Sequence, residues 1–171
     1  KIGFARSVGA EYIASQLPAA SSAWLYSDCS ASQVLHAPPA LNPNLYRPGS
    51  GPRPIDVGFR GDDYFLTLGD VERSNLIRLF KERGPQWGLV TDIEFVRYHR
   101  TKWVAFLNQS KGIVGAESGT YYLEKDDRTQ LAVDAYLRQT PDATFVDVHA
   151  RFFKNYRNPV SGKAISSRHF E

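Results

Sequence analysis

Six prolines and two glycines fall between His36 and Pro54, in the stretch HAPPALNPNLYRPGSGPRP. Proline fixes its own φ and has no amide proton to donate, so neither a helix nor a central strand can run through such a stretch. The chain is therefore expected to divide here. Residues 1–37 read as the end of a preceding domain, 38–54 as an interdomain linker, and 55–171 as part of a Rossmann-like domain. The 171 residues fit one domain with a piece of another, and a 42% hydrophobic content is enough to bury a core. The chain opens on Lys1 and contains no Met, an arrangement expected of a segment of a longer protein.

Beyond the linker the pattern becomes regular. IDVGF (55–59) alternates as a short strand, a loop rich in Gly and Asp follows, and Asp70 is placed to cap VERSNLIRLFKER. Leu76, Ile77, Leu79 and Phe80 give that helix an apolar face, and Gly84 with Pro85 ends it. LVTDIEF (89–95) predicts a second strand. Thr101 then opens a helix over KWVAFLNQSK, stopped by Gly112, and GIVGA (112–116) predicts a third strand. Strand, helix, strand, helix, strand is the rhythm of a parallel sheet with right-handed crossovers. The expected fold class is α/β, a Rossmann-like parallel sheet with flanking helices. Helices are also expected over about 127–139 and 144–157, and AWLYS (23–27) and QVLHA (33–37) read as short strands before the linker.

Charge and cysteine content narrow the function classes. Lys and Arg total 21 against 18 Asp and Glu, and a formal charge of +3 predicts no nucleic-acid partner. The single Cys29 can form no internal disulfide and fits a reducing compartment. No apolar run approaches the roughly 20 residues that a membrane span requires, and the first residues lack a signal-peptide layout. No membrane span and a cytoplasmic location are the expectation. Asp126 and Asp127 lie beside Lys125 and Arg128 and read as a solvated helix start, so no metal is assigned. His149 falls on the apolar face of its helix and reads as a core histidine. The basic and aromatic run ARFFKNYRNPVSGK reads as a buried helix face in preference to an RNA-binding surface.

Three stretches carry candidate site residues. FRGDDYFLTLGD follows the first strand of the regular region, where open α/β sheets bind phosphorylated ligands, and Arg60 and Gly61 there suit a phosphate. The glycine spacing is not that of a dinucleotide fingerprint. VGAESGTYYLEKDD follows the third strand, and Glu117, Ser118 and Gly119 offer an acceptor, a hydroxyl and close backbone approach. The serine sits fourth in GAESG, which excludes a G-x-S-x-G nucleophile elbow. In the terminal ISSRHFE, a helix start bearing Arg168 and Glu171 suits a nucleoside diphosphate, with the guanidinium on phosphate and the carboxylate on ribose hydroxyls.

Together these residues resemble a bacterial glycosyltransferase of the two-Rossmann-domain type, GT-B, close to the group related to spore-maturation glycosyltransferases. APPALNPNLYRP resembles the interdomain segment, IDVGFRGD the first strand and loop of the donor-binding domain, WVAFLNQSKGIVGAESGT the family's middle stretch, and ISSRHFE the start of its helix with the ribose-binding glutamate. The resemblance covers roughly Trp24 to Glu171. It implies transfer of a sugar from a nucleotide-sugar donor to a glycan or small-molecule acceptor, without a bound metal or cofactor. It further implies that Glu171 binds ribose, that Arg60 and Arg168 neutralise diphosphate, and that Glu117 to Gly119 lie near the sugar. Its catalytic base would belong mostly to an acceptor domain, so the segment alone is expected to be inactive. The alternative is a non-catalytic α/β module that binds a nucleotide or a protein.

Overall fold

The structure, a computed structural model, describes residues 2–63, 65–157 and 160–166. Along the chain come α1 (Ile2–Ser7), β1 (Tyr12–Ser15), α2 (Ala19–Leu25), β2 (Gln33–His36), β3 (Ile55–Arg60), α3 (Phe65–Leu68) and α4 (Glu72–Arg83). A 3₁₀ turn (Pro85–Trp87), β4 (Thr91–Glu94), α5 (Arg100–Gln109), β5 (Ser110–Ile113), α6 (Arg128–Gln139), α7 (Phe145–Val148) and a π-helical turn (His149–Phe153) follow. The fold is mixed α/β, with small parallel sheets flanked by helices. The described residues form two compact units. The first takes in the chain up to Pro39, Phe65–Asp70 and Glu117–Ser166, and the second Ala40 to Asp63 and Val71–Ala116. The change at Pro39 falls inside the proline-rich stretch. However, residues 65–70 and 117–166 group with the N-terminal segment, where the sequence division assigned them to the domain beginning near Ile55.

In the second unit β3 is the central strand of a three-stranded sheet ordered β4-β3-β5. Both pairings are parallel, with Gly58 opposite Asp92 on one side and Ile113 on the other. Phe59 and Val57 pack against Ile77, Leu76 and Phe80 of α4, together with Ile93 and Val114. Ile55 instead joins Trp103, Phe106 and Leu107 of α5. Ile55, Val57 and Phe59 share a parity, so a regular pleated strand would turn all three to one face. Ile55 departs from simple alternation with Val57 and Phe59. The amides of Asp56 and Val57 both donate to the Val90 carbonyl, at 2.8 and 3.2 Å, a bulge-like pattern that shifts the phase of the strand. Phe59 and Ile77 are each 1% exposed, and burying side chains of that size stabilises by roughly 1.5–3 kcal/mol apiece.

The first unit holds the other sheet, β1 beside β2 in parallel, joined by α2. AWLYS is not a strand: Ala23 to Leu25 close α2, and Tyr26 is its C-cap. The small residues of AASSA before it form the first turns of that helix, and Leu25 and Trp24 then pack with Ile2, Cys29, Ile13 and Leu17. Buried Ser22 donates to Ser15 Oγ of β1 at 2.8 Å and to the Leu17 carbonyl at 3.1 Å. A second cluster is built on Val133 of α6 with Val148 and Phe153. The helix expected over 144–157 begins with a capping box between Thr144 and Asp147 and widens after Val148. There the Lys154 amide reaches the His149 carbonyl at 2.7 Å, five residues back.

Gly58 decides how closely α5 approaches the sheet. A Cβ at this position would stand 2.6 Å from Phe106 Cζ and 2.9 Å from Ser110 Oγ, inside contact distance for both. Gly58→Ala should therefore destabilise the protein by about 1–3 kcal/mol, the range for overpacking a filled core. Urea unfolding checks this, and a loss of only a few tenths of a kcal/mol would show that Phe106 is not seated as described.

Candidate functional site

In an open parallel sheet the ligand crevice lies outside the carboxyl ends of the strands, where the strand order reverses. In the second unit β3 comes first and sits centrally, so the reversal falls between the ends of β3 and β5, at Arg60 and Ile113. Arg60 is 3% exposed. Its Nη1 donates to the carbonyls of Phe59 at 2.8 Å and Asp92 at 2.9 Å, and its Nη2 to Asp92 Oδ1 at 2.7 Å. Its Nε is 3.9 Å from a Glu94 carboxylate oxygen, an ion-pair distance without an aligned hydrogen bond. The Phe106 and Tyr98 rings lie 4.3 and 4.9 Å from the guanidinium carbon. Burial opposes its charge, but the hydrogen bonds and charges of Tyr98 and Asp92 outweigh burial and leave its pKa above the ordinary guanidinium value. The arginine proposed for phosphate is thus engaged by its own sheet and by two rings.

The loop after Arg60 is acidic. Gly61 is buried, Asp62 pairs with Arg97 at 2.5 Å, and Asp63 accepts from Ser74 Oγ at 2.5 Å and from Arg78. Ser74 lies in the first turn of α4, whose N-cap position is taken by Val71 with no side-chain hydrogen bond. The carboxylate expected to cap this helix, Asp70, groups with the first unit, and Asp63 brings the negative charge to the first turn.

Glu117, Ser118 and Gly119 belong to the first unit. Glu117 is exposed. The backbone of Ser118 is committed to an antiparallel bridge with Ala164, with amide-to-carbonyl distances of 2.8 and 2.9 Å. Gly119 has φ 90°, a conformation that side chains rarely adopt, and an added Cβ would collide with the Gly162 carbonyl. Arg168 and Glu171 lie outside the described residues. The candidate residues therefore fall into three groups, Arg60 and Gly61, Glu117 to Gly119, and this terminal pair, of which only the first two are described.

Other polar groups of the first unit are engaged within it. His149 Nε2 is 3.1 Å from the Tyr122 hydroxyl, between the rings of Phe145 and Phe153, which agrees with its reading as a satisfied core histidine. Burial, and then the charge of Asp70, pushes the Tyr122 phenol up. Asp126 pairs with Arg128 at 2.8 Å, and among the described residues no cluster of His, Cys, Asp or Glu could hold a metal ion. Arg151 stacks over Tyr136 at 4.9 Å, so this part of the basic aromatic run packs on itself. A polar residue inside an apolar strand, Asp92 in LVTDIEF, was the available signal for the partner of Arg60. Nothing in the spacing signalled Lys163, whose amino group pairs with Asp70. No helix among the described residues is long and apolar enough to cross a membrane.

Comparison with protein-family models, with curated proteins and with solved structures finds no match to this chain. The chemistry of the site must be argued from its residues.

Removing the Arg60 guanidinium would leave Asp92 without its partner. Asp92 keeps 36% side-chain exposure, so the loss is smaller than for a fully buried pair, and Arg60→Ala should cost about 2 kcal/mol in denaturant unfolding. Arg60→Lys should recover little of it, because an ammonium lacks the fork that meets two carbonyls and a carboxylate. Recovery close to the unmodified protein would remove the fork argument.

The Tyr156 phenol donates to the Leu123 carbonyl at 2.9 Å, and burial followed by the carboxylates of Glu124 and Asp126 pushes its pKa up to about 12. The folded state thus holds this proton more tightly than the unfolded chain, whose phenol titrates near 10. The stabilisation is complete below the unfolded pKa and is lost as pH rises from there through about 12. Tyr156→Phe should flatten the alkaline fall in stability and delete the last phenolate absorbance step. An unchanged titration would place that step on another tyrosine.

Proposed function

We propose that the protein binds a nucleotide-sugar and serves glycosyl transfer to a glycan or small-molecule acceptor, as a GT-B type, metal-independent enzyme. The observation that carries this reading is the sheet of the second unit. Three parallel strands are ordered so that the first is central, a helix packs on each side of it, and the order reverses at the ends of β3 and β5. Two stretches that carry the resemblance, IDVGFRGD (the first strand and loop of the donor domain) and WVAFLNQSKGIVGAESGT (the family's middle stretch), run through those two strand ends.

In this proposal the leaving group is a nucleoside diphosphate, and its departure is aided by neutralising the charge that develops on the bridging oxygen. Arg168 supplies that charge, and Glu171 accepts the ribose hydroxyls. Arg60 acts at one remove: fixed to Asp92 and Glu94, it sets the end of β3 and the path of the following loop. The donor then needs no contact from Arg60 itself.

A second reading, a non-catalytic module that keeps the α/β scaffold, is favoured by the same detail. The guanidinium suited to phosphate is engaged within the sheet, and the first turn of α4 carries the chain's own Asp63 carboxylate.

Titration calorimetry with a nucleoside and its diphosphate tests the first reading. The diphosphate should bind more tightly. Glu171→Ala should weaken both ligands by about 1–3 kcal/mol, the range for leaving a buried hydrogen-bonding group unpaired. Arg168→Ala should weaken the diphosphate more than the nucleoside. Equal losses with Arg168→Ala would remove its phosphate role, and no binding of any nucleoside diphosphate would leave the non-catalytic module as the better account.

A further inference from the structure

A strand at the margin of a sheet leaves half of its backbone hydrogen bonds unmade, and such an edge is a template for another extended chain unless the sequence blunts it. The sheet of the second unit has two edges, β4 and β5. β5 carries Lys111 and Gly112, which weaken an edge as a template. β4 is different. Its run from Leu89 to Val96, LVTDIEFV, holds no Pro, Gly or Lys and is built mostly of β-branched and aromatic residues.

The pairing with β3 fixes which backbone groups of β4 are already used. The amides of Asp56 and Val57 donate to the Val90 carbonyl, and Val57 and Phe59 stand opposite Thr91 and Ile93. In a parallel pair the groups of one residue turn to one neighbour and those of the next residue to the other. Val90, Asp92 and Glu94 therefore address β3, while Thr91, Ile93 and, just past the strand, Phe95 address the open side. Among the described residues no backbone hydrogen bond from elsewhere in the chain reaches those three.

Side chains at this edge are sorted by charge. Ile93 and Phe95 belong to the apolar cluster beneath α4. Asp92 and Glu94 turn to the opposite face, with exposed Val90 before them and exposed Val96 after. The two carboxylates share one guanidinium: Arg60 meets Asp92 at 2.7 Å and Glu94 at 3.9 Å, and Glu94 keeps 59% side-chain exposure. Among the described ion pairs, this face carries one negative charge in excess.

That charge decides what can dock. A second copy paired antiparallel about Ile93, the middle of the open groups, would set Asp92 of each strand beside Glu94 of the other, and like charges directly opposite are destabilising. A segment with Lys or Arg at those two places gains where the copy loses. We propose that the outer edge of β4 takes up, by strand addition, an extended segment of another protein, with basic residues beside Asp92 and Glu94 and apolar or β-branched residues beside Thr91, Ile93 and Phe95. Backbone hydrogen bonds supply the affinity and the alternating side chains the choice of partner. This inference concerns the side of the sheet and does not depend on the transferase reading.

Three capped peptides of one length test it: Thr-Lys-Val-Lys-Val, the same with Glu for both Lys, and the first with N-methyl groups on alternate amides. Amide hydrogen exchange of the folded protein, read by nuclear magnetic resonance with peptide at millimolar concentration, gives the outcome. The Lys peptide should protect the amides of Thr91, Ile93 and Phe95 and leave those of Asp92 and Glu94 unchanged. The Glu peptide should bind about tenfold more weakly, since two like-charge contacts replace two of opposite sign. The N-methylated peptide should not protect, because it cannot complete the ladder. Glu94→Lys changes an exposed side chain and should narrow or reverse the preference between the Lys and Glu peptides, with the β3 amides as protected as before. Absence of protection by the Lys peptide would overturn the proposal, as would equal binding of the Lys and Glu peptides. Protection of the same three amides that grows with protein concentration in the absence of peptide would also overturn it, by giving the edge to a second copy.

Discussion

Every amide and carbonyl of a central strand must find a partner on one side or the other, because water cannot reach it to substitute. In the second unit that constraint falls on β3, a strand of six residues between β4 and β5. Its amides at Asp56 and Val57 reach the Val90 carbonyl, and its Gly58 carbonyl accepts from Val114. Once these ladders are drawn, the positions of both helices follow. Phe59 must meet α4, and the missing side chain at Gly58 lets Phe106 of α5 come against the backbone. Arg60, at the strand's end, lies against the same Phe106 ring and ties β3 to Asp92 of β4.

Buried charge is treated the same way in both units. Arg60 is enclosed with Asp92 and two rings, and Lys163 with Asp70 and one ring. Such pairs contribute less to net stability than their short distances suggest, because two desolvation penalties offset the attraction. What they supply is definition. An arginine that meets two carbonyls and a carboxylate is held in one orientation, and Lys163 is held between the Asp70 carboxylate and the Tyr121 ring. These pairs therefore fix loop geometry more than they fix total stability.

The regular half of the chain was legible because its punctuation agrees with its periodicity. β3, α4, β4, α5, β5 and α6 lie within a few residues of where Gly84, Pro85 and the apolar spacing put them, but Gly112, expected to stop α5, lies inside β5 opposite Val57, and α5 already ends at Gln109. Short apolar runs were not legible. AWLYS satisfies a strand pattern, yet four small residues upstream carry it into α2, since four or five apolar residues cannot distinguish the two structures. The helix over 144–157 was expected at one pitch and changes to a wider one at His149, which no local propensity encodes. At the candidate site, the position of Arg60 at a strand end could be read, but its engagement could not. That depends on Asp92, 32 residues away, and on rings brought in by α5 and the segment before it. The prolines lie where the chain leaves the first unit, and nothing in the composition marks where residues 65–70 and 117–166 return to it.

That discontinuity sets an order of assembly during synthesis. Among the described residues the second unit is drawn from 40–63 and 71–116, and its strands β3, β4 and β5 all lie within residues 55–113. The described part of that unit has all been made once residue 116 has cleared the ribosome. The first unit has not. The Ser21 hydroxyl donates to the Ser161 carbonyl, 140 residues along the chain, and Leu123 packs against the cluster of Ile2, Leu25 and Cys29, so these contacts wait until residues 123 and 161 have been made. Closing a loop of that length costs only a few kcal/mol in entropy, but the delay is long on the scale of collapse. In that interval an exposed β1-β2 ribbon and its apolar neighbours are the part of the nascent chain in most need of a chaperone.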